Sequence, residues 1–335
     1  MNIYDIAKLA NVSIATVSRV VNNSPKVSEK TKEKVLAVMN ENEYTPNAFA
    51  RGLGLGSMKT IGILCPDIAD IYMAKAISYL ERDLHDYGYD CILGCSGFKQ
   101  QEKESHVKLL LSKKIDTLVL IGSTYAGSGR DDSETDYIRE AAGQTPVFMI
   151  NAKVNGDNIY CTYADDFQAT YEVTKAFLRR GKEKILFMYD SESFSARQKL
   201  AGYEAALQDA GYPIRGDLKF KTKNDIEYTK NMLLEYNKTL DFDSVLAVED
   251  VIAIGAIKYA KIKALSIPED LAITGYNNSI LALSSEPELT SVDSKLEIMC
   301  RKTVERMISL LENDMQIEKN ICVPCEIIRR CTTDF

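Results

Sequence analysis

Four side chains along one short stretch, Thr16, Ser18, Arg19 and Asn22, have chemistry suited to nucleic acid. Three are short hydrogen-bonding groups that match phosphate oxygens. The fourth is a planar guanidinium whose paired N–H groups fit the O6 and N7 edge of guanine. No comparable set exists for catalysis. Histidine occurs only at positions 85 and 106, there is no G-x-S-x-G, and no nucleophile, base and acid fall together, so no catalytic residues are assigned. The acid pairs Asp131, Asp132 and Asp165, Asp166 read as solvated loop and helix-start residues. Cys322 and Cys325 form one C-x-x-C. A four-ligand zinc site needs a second pair or nearby histidines, so these read as thiols in a strand, and no metal or cofactor is expected.

The run NAFARGLGLGS over residues 47–57 raises a different possibility, a glycine loop cradling a phosphate. A dinucleotide loop needs a strand before its glycines and a helix after them. Here a helical stretch comes first and the strand-like TIGILC follows, and the spacing is not G-x-G-x-x-G. Each interior glycine costs a helix about 0.5–1 kcal/mol relative to alanine, so Gly52, Gly54 and Gly56 mark a weak helix or its end.

These residues need elements to position them. Tyr4 to Leu9 and Ala15 to Val21 carry apolar residues at helical spacing: Ile6, Leu9 and Ala10, then Val17, Val20 and Val21. Asn11, Val12 and Ser13 form the turn between, with Ser13 placed to cap the second helix. That is a helix-turn-helix. A third helix starts from Ser28 as N-cap, with Val35, Leu36 and Met39 on its buried side.

Charge separates this head from the rest. Residues 1–60 contain eight Lys and Arg against five Asp and Glu, a balance of +3, whereas the remainder carries −10. A basic head on an acidic body points to an anionic partner for the head alone. At 335 residues, 45% hydrophobic and 27% charged, the chain suits two or three folded domains and is not disordered. Apolar runs such as Leu118 to Ile121 fall far short of the ~20 residues of a membrane span. The N-terminus MNIYDIAKLANVS contains an acid and no hydrophobic core, so secretion is not expected. Eight cysteines, mostly beside apolar segments, fit a cytoplasmic location.

The stretch from Ile3 to Leu53 resembles the DNA-binding head of the lactose-repressor family of bacterial transcription regulators. The resemblance rests on V-S-x-x-T-V-S-R-V-x-N, then V-S-x-x-T, then Y-x-P-N-x-x-A-R-x-L. It implies that Ile14 and Ala15 open a recognition helix in the major groove, meeting thymine methyls, and that Arg19 reads a guanine. It places Thr16, Ser18, Asn22, Ser28, Thr31 and Asn47 on phosphates. Residues 47–53 become a hinge helix in the minor groove, lined by Ala50, with Leu53 as the wedge that opens a base step.

From Thr60 onward the pattern changes. TIGILC, DCILGC, TLVLIG, VFMI, KILFMY, SVLAV and LAITGY are strand-like and alternate with helical stretches such as Met73 to Tyr87, which predicts parallel sheets with helices on both faces. Leu84 to Tyr89 and Leu207 to Tyr212 echo one another, each closing a helix at a glycine, Gly88 or Gly211. The fold class expected is therefore an all-α helix-turn-helix head plus an α/β body of two Rossmann-like parallel-sheet lobes, resembling periplasmic binding proteins. The expected domains are the head over 1–46, hinge and linker over 47–59, one lobe from 60–160 with 291–319, and the other from 161–290 with 320–335.

Ligands of open parallel sheets sit beyond the carboxyl ends of the strands. That rule selects loops at 66–72, 95–98, 122–125, 151, 189–199, 249–250 and 276–278. Asp67, Ile71, Tyr72, Ser96, Ser123, Asn151, Arg197, Lys199, Glu249, Asp250 and Asn277 are the effector-binding candidates. The family pattern implies a second arginine where S-A-R-Q-K has Lys199, an Asn where Glu249 precedes Asp250, and an Asp where G-Y-N-N has Asn277; Arg197 keeps the first arginine. Replacing a planar fork by a point charge changes what is bound.

The resemblance implies a regulator, usually a repressor, that binds a near-palindromic double-stranded DNA operator as a homodimer and answers to a small-molecule effector, most often a sugar, between its lobes. No membrane partner is expected. The chain ends at CTTDF without a leucine heptad, so a tetramerisation tail is not expected. The alternative is a solute-binding protein without DNA function.

Overall fold

The structure, a computed structural model, describes every residue except 23, 45–56, 237–240 and 314. The expectations for Asn47, Ala50 and Leu53, and for Gly52, Gly54 and Gly56, lie outside the described residues.

Three helices form the head: α1 (Ile3–Leu9), α2 (Ile14–Val21) and α3 (Glu29–Glu41). Each begins at a side-chain cap that satisfies backbone N–H groups the helix itself cannot. Asn2 and Asp5 make a reciprocal capping box on α1. Ser13 accepts from the Thr16 N–H and Ser28 from the Thr31 N–H, and in both places the two hydroxyls lie 2.9 Å apart. Ile6, Ala7, Ala10, Val17, Val20, Val35 and Met39 close a small core of their own. Two expectations are corrected here. Leu9 and Leu36 are 55% and 39% exposed, because the inward stripe of α1 runs through Ile6, Ala7 and Ala10 and that of α3 through Val35 and Met39.

The body begins at β1 (Thr60–Cys65), followed by α4 (Ile71–Asp86), β2 (Asp90–Cys95), α5 (Gln100–Leu111), β3 (Thr117–Ile121), α6 (Asp136–Ala142), β4 (Val147–Ile150) and β5 (Ile159–Ala164). The second lobe comprises α7 (Asp166–Arg179), β6 (Ile185–Tyr189), α8 (Phe194–Asp209), β7 (Lys219–Lys221), α9 (Ile226–Tyr236), β8 (Ser244–Ala247), α10 (Asp250–Ile262), β9 (Ala272–Tyr276), α11 (Ile280–Ser284) and β10 (Thr290–Asp293). The chain returns to the first lobe for α12 (Leu296–Asn313) and β11 (Asn320–Val323), then ends in the second with β12 (Glu326–Ile328).

Both sheets use the same plan. The first runs β11-β5-β4-β3-β1-β2 and the second β12-β10-β9-β8-β6-β7, so each has its first strand between the second and third. All pairings are parallel except β10 with β12. β3 and β4 are buried at every position, as strands covered on both faces require. The lobe boundaries differ from those expected. The chain crosses between lobes after Ala164, after Asp293 and after Val323. Boundaries at 160/161 and 290/291 would cut β5 and β10, and β11 pairs with β5 in the first sheet rather than the second.

Helices α4 and α8 end alike. Gly88 and Gly211 have φ of 72° and 78°, and the next residue's N–H returns to the carbonyl five positions back, Tyr89 to Leu84 and Tyr212 to Leu207. In α8, Gly202 has a different role: a Cβ there would stand 2.2 Å from the Phe167 carbonyl oxygen, so its absence lets α7 and α8 touch backbone to backbone. The body is also anchored where the linker enters it. The Asp116 carboxylate accepts from the Met58 N–H at 3.0 Å and the Thr60 N–H at 2.8 Å.

Candidate functional site

The head presents α2 with Val17 and Val20 inward and the opposite face outward. Ile14 and Ala15 are exposed at its first turn, and Arg19 is exposed and in no ion pair with a described residue. Ser18 and Asn22 are half-buried on the same element. The Thr16 and Thr31 hydroxyls rest against their capping serines, which puts two hydroxyl pairs at two helix N-termini, where N–H groups and the helix dipole favour an anion.

In the body, a cavity of about 410 Å³ lies between the lobes. Its walls come from the ends of β1 and β3 in one lobe and β6 and β8 in the other, the crevices where each sheet's connections diverge to opposite faces. Asp67, Tyr72, Ser123 and Asn151 line it from the first lobe, and Lys199, Glu249 and Asn277 from the second. An adjoining space of about 570 Å³ shares Asp67, Asp70, Tyr72, Asn224, Glu249 and Asn277 with it. Ile71 and Asp250 line only that adjoining space. Asp250 is 2% exposed, and its carboxylate accepts from the Ser291 hydroxyl and the Ser279 N–H, both at 2.6 Å, so it holds α10, α11 and β10 together.

Two expected residues lie outside the walls. Ser96 is buried, with its hydroxyl 2.7 Å from the Tyr125 hydroxyl and donating to the Gly97 carbonyl. Arg197 turns to the rim, where Nη1 donates to the Gly127 carbonyl at 3.0 Å and the Glu192 carbonyl at 2.6 Å. It thereby bridges the lobes, beside an ion pair of Arg130 with Glu192. Lys199 does line the cavity, but its ammonium donates to the Val248 carbonyl at 3.1 Å and stands 3.6 Å from the Tyr276 ring centroid. It is a buried cation already solvated by protein.

Sequence reasoning missed several wall residues. Asp70, Thr124, Asp190 and Ser195 fall in loops the strand-end rule had selected, but nothing in their types singled them out. Asn224 follows β7, whose lysine-flanked three-residue span has no apolar run to mark it as a strand.

Carboxylates dominate the cleft. Burial pushes the Glu249 carboxyl well above the usual range; the Lys199 charge opposes this, and Asp190, Asp70 and Asp250 reinforce it. Burial likewise raises Asp70, partly offset by N–H groups of Met73 and Tyr72, with Asp67 and Asp190 pushing it further up. A carboxyl whose folded pKa is raised contributes stability below its unfolded pKa and loses it as pH rises through the folded value. Glu249→Gln removes the ionisation and retains an acceptor for the Asn277 amide, which now donates to Glu249 Oε2 at 2.6 Å. The variant is expected to melt a few degrees above the parent at pH 8, with the gap closing towards pH 5. A constant or inverted gap in melting curves across pH would contradict the burial argument.

Among the described residues no His, Cys, Asp or Glu cluster is fit to hold a metal ion, and no helix is long and apolar enough to cross a membrane. The eight cysteines are unpaired; Cys322 lies in β11 as expected, whereas Cys325 falls in the break between β11 and β12 rather than in a strand.

A helix-turn-helix head with an exposed second helix, joined to two binding-protein lobes around a polar cleft, defines a DNA-binding regulator built on a ligand-binding body. Comparison with known proteins agrees. Residues 2–47 match the profile of bacterial regulatory proteins of the lacI family, and residues 58–331 match that of periplasmic binding proteins and the sugar binding domain of the LacI family. The chain is 44% identical over 336 residues to an HTH-type transcriptional regulator of Lachnoclostridium phytofermentans, covering 100% of both chains. It is 30% identical over 335 residues to the HTH-type transcriptional regulator DegA of Bacillus subtilis, covering 99% of this chain and 97% of the other. The fold superposes on a lac repressor dimer bound to operator and the anti-inducer ONPF with a TM-score of 0.88 at 22% identity, over 99% of this chain and 98% of that one. The chain belongs to the LacI family of DNA-binding transcriptional regulators and is not an enzyme.

Proposed function

We propose that this regulator is a homodimeric repressor of the cytoplasm, which reads a near-palindromic operator and is controlled by a small polar effector, a sugar or related metabolite, held between its lobes. The observation that carries this reading is the pairing, in one chain, of an exposed guanidinium face on α2 with a polar cavity at the switch points of both sheets. Two heads related by a two-fold axis match two half-sites. In this reading Arg19, Ile14 and Ala15 meet bases, while Thr16, Ser18, Asn22, Ser28, Thr31 and Asn47 hold phosphates. Ala50 and Leu53 enter the minor groove. Effector in the cleft shifts the population of lobe arrangements, and with it the spacing of the two heads.

The test begins with duplexes selected from a random pool by the full-length protein. Arg19→Ala is expected to cost about 1–3 kcal/mol on the selected duplex and to relax preference at one guanine position in each half-site. Affinity of the parent should fall steeply with salt. A protein that selects no sequence and gives no salt-dependent gel shift is a solute binder instead.

A further inference from the structure

The wall of the interlobe cavity is unusual in its charge. Asp67 and Asp70 face it from the first lobe, and Asp190 and Glu249 from the second. Among the described residues Lys199 is the only basic side chain in the lining, and its ammonium is engaged with the Val248 carbonyl and the Tyr276 ring. Asp70 already accepts from the Met73 N–H and Glu249 from the Asn277 amide, whereas Asp190 has no hydrogen bond with a described residue. The charges of Asp70, Asp190 and Glu249 act on one another across the cleft, so lobe closure brings like charges together. A small metal ion does not answer this need, since the described carboxylates form no cluster fit to hold one.

A second observation points to the rest of the ligand. Ser195 is 4% exposed, and its hydroxyl is turned to the buried Asp166 carboxyl behind the cavity wall. Thr124 Oγ1 and Asn151 Oδ1 are buried atoms without a partner among the described residues, and both residues line the cavity. Buried polar atoms without partners are costly, and two such atoms beside one cavity, just after β3 and β4, mark where ligand hydroxyl groups can bond.

We propose that the effector is a hydroxylated amine, an aminated sugar or aminocyclitol, whose ammonium sits among Asp70, Asp190 and Glu249 while its hydroxyls meet Thr124 and Asn151. This rests on the reading of the cleft as the effector site and narrows it to a cationic class. The cation neutralises the repulsion that opposes closure, so it has a larger affinity for the closed arrangement than a neutral isostere of the same shape. That difference is what shifts the population.

The test uses the full-length protein and two matched pairs of probes, D-glucosamine against D-glucose and 2-deoxystreptamine against scyllo-inositol, by calorimetry and by release or recruitment on the selected duplex. In at least one pair the amine should bind about thirtyfold or more tightly than its neutral partner, as expected for a desolvated charge pair. Asp190→Asn, which keeps the side chain's size, should remove most of that preference, lowering amine affinity far more than neutral-probe affinity; a melting curve confirms that the variant is folded. Equal or tighter binding of the neutral partner overturns the cationic class but leaves the cleft reading standing. Failure of both amines to bind also overturns it. If, in addition, no compound in a broad screen of neutral sugars, phosphosugars, nucleobases and amino acids changes the melting midpoint or the operator affinity, the effector-site reading itself fails.

Discussion

Removing residues 1–59 should abolish specific operator binding while leaving a body that melts cooperatively and binds effector as before. The expected loss is at least about a thousandfold, the margin by which specific DNA binding commonly exceeds non-specific binding. Two observations make the separation clean. The head closes its own core from Ile6, Ala7, Ala10, Val17, Val20, Val35 and Met39, and the body closes three others around its two sheets. The body also has a net charge of −10, so nothing in its overall balance replaces the head on a polyanion. Gel shift and calorimetry on the truncated chain check both halves of the expectation. Residual sequence-specific binding would place part of the DNA interface in the body.

Arg306→Met should destabilise the first lobe by about 3 kcal/mol, seen as a melting midpoint lower by several degrees with operator affinity at low temperature preserved. Arg306 projects from α12 and is 7% exposed. Its guanidinium donates to the Cys161 carbonyl at 3.2 Å, the Thr162 hydroxyl at 3.0 Å and the Lys319 carbonyl at 3.0 Å, and also to the Glu318 carbonyl. One side chain therefore pins β5 and the approach to β11 onto the returning helix. Methionine fills much of the volume but leaves these acceptors unmet in a place water reaches poorly, and such loss costs more than the net value of the bonds removed. A change within error in the melting midpoint would mean that backbone rearrangement or water satisfies those carbonyls.

Much of this architecture is legible in the sequence where local signals and burial agree. Ser13 and Ser28 mark the starts of α2 and α3 because a capping hydroxyl is a local device, and the apolar runs of β1, β3 and β4 reflect strands covered on both faces. The strand β5 is harder to see. Its Thr162 is fully buried, yet it is satisfied at long range by Thr303 and Arg306, and that compensation is invisible along the chain. Missing β5 also displaced the lobe boundary, since the crossing follows it.

The cleft was legible as a set of loops but not as a set of side chains. Strand order fixes which loops converge, and Asp67, Tyr72, Ser123, Asn151, Lys199, Glu249 and Asn277 do converge on the cavity. Direction is not encoded so locally. Arg197 and Lys199 are two residues apart on α8, and about 200° of helical rotation sends one to the rim and the other to the Tyr276 ring. The same loss of information hides Ser96 behind Tyr125.

The clasp of Asp116 on the Met58 and Thr60 N–H groups has a mechanical meaning. Two hydrogen bonds fix Met58 and Thr60 to Asp116 at the foot of β1, so this end of the linker moves with the first lobe. In the proposed reading Asp116 couples the first lobe to the start of the linker, and loosening it would uncouple ligand from DNA without altering affinity for either.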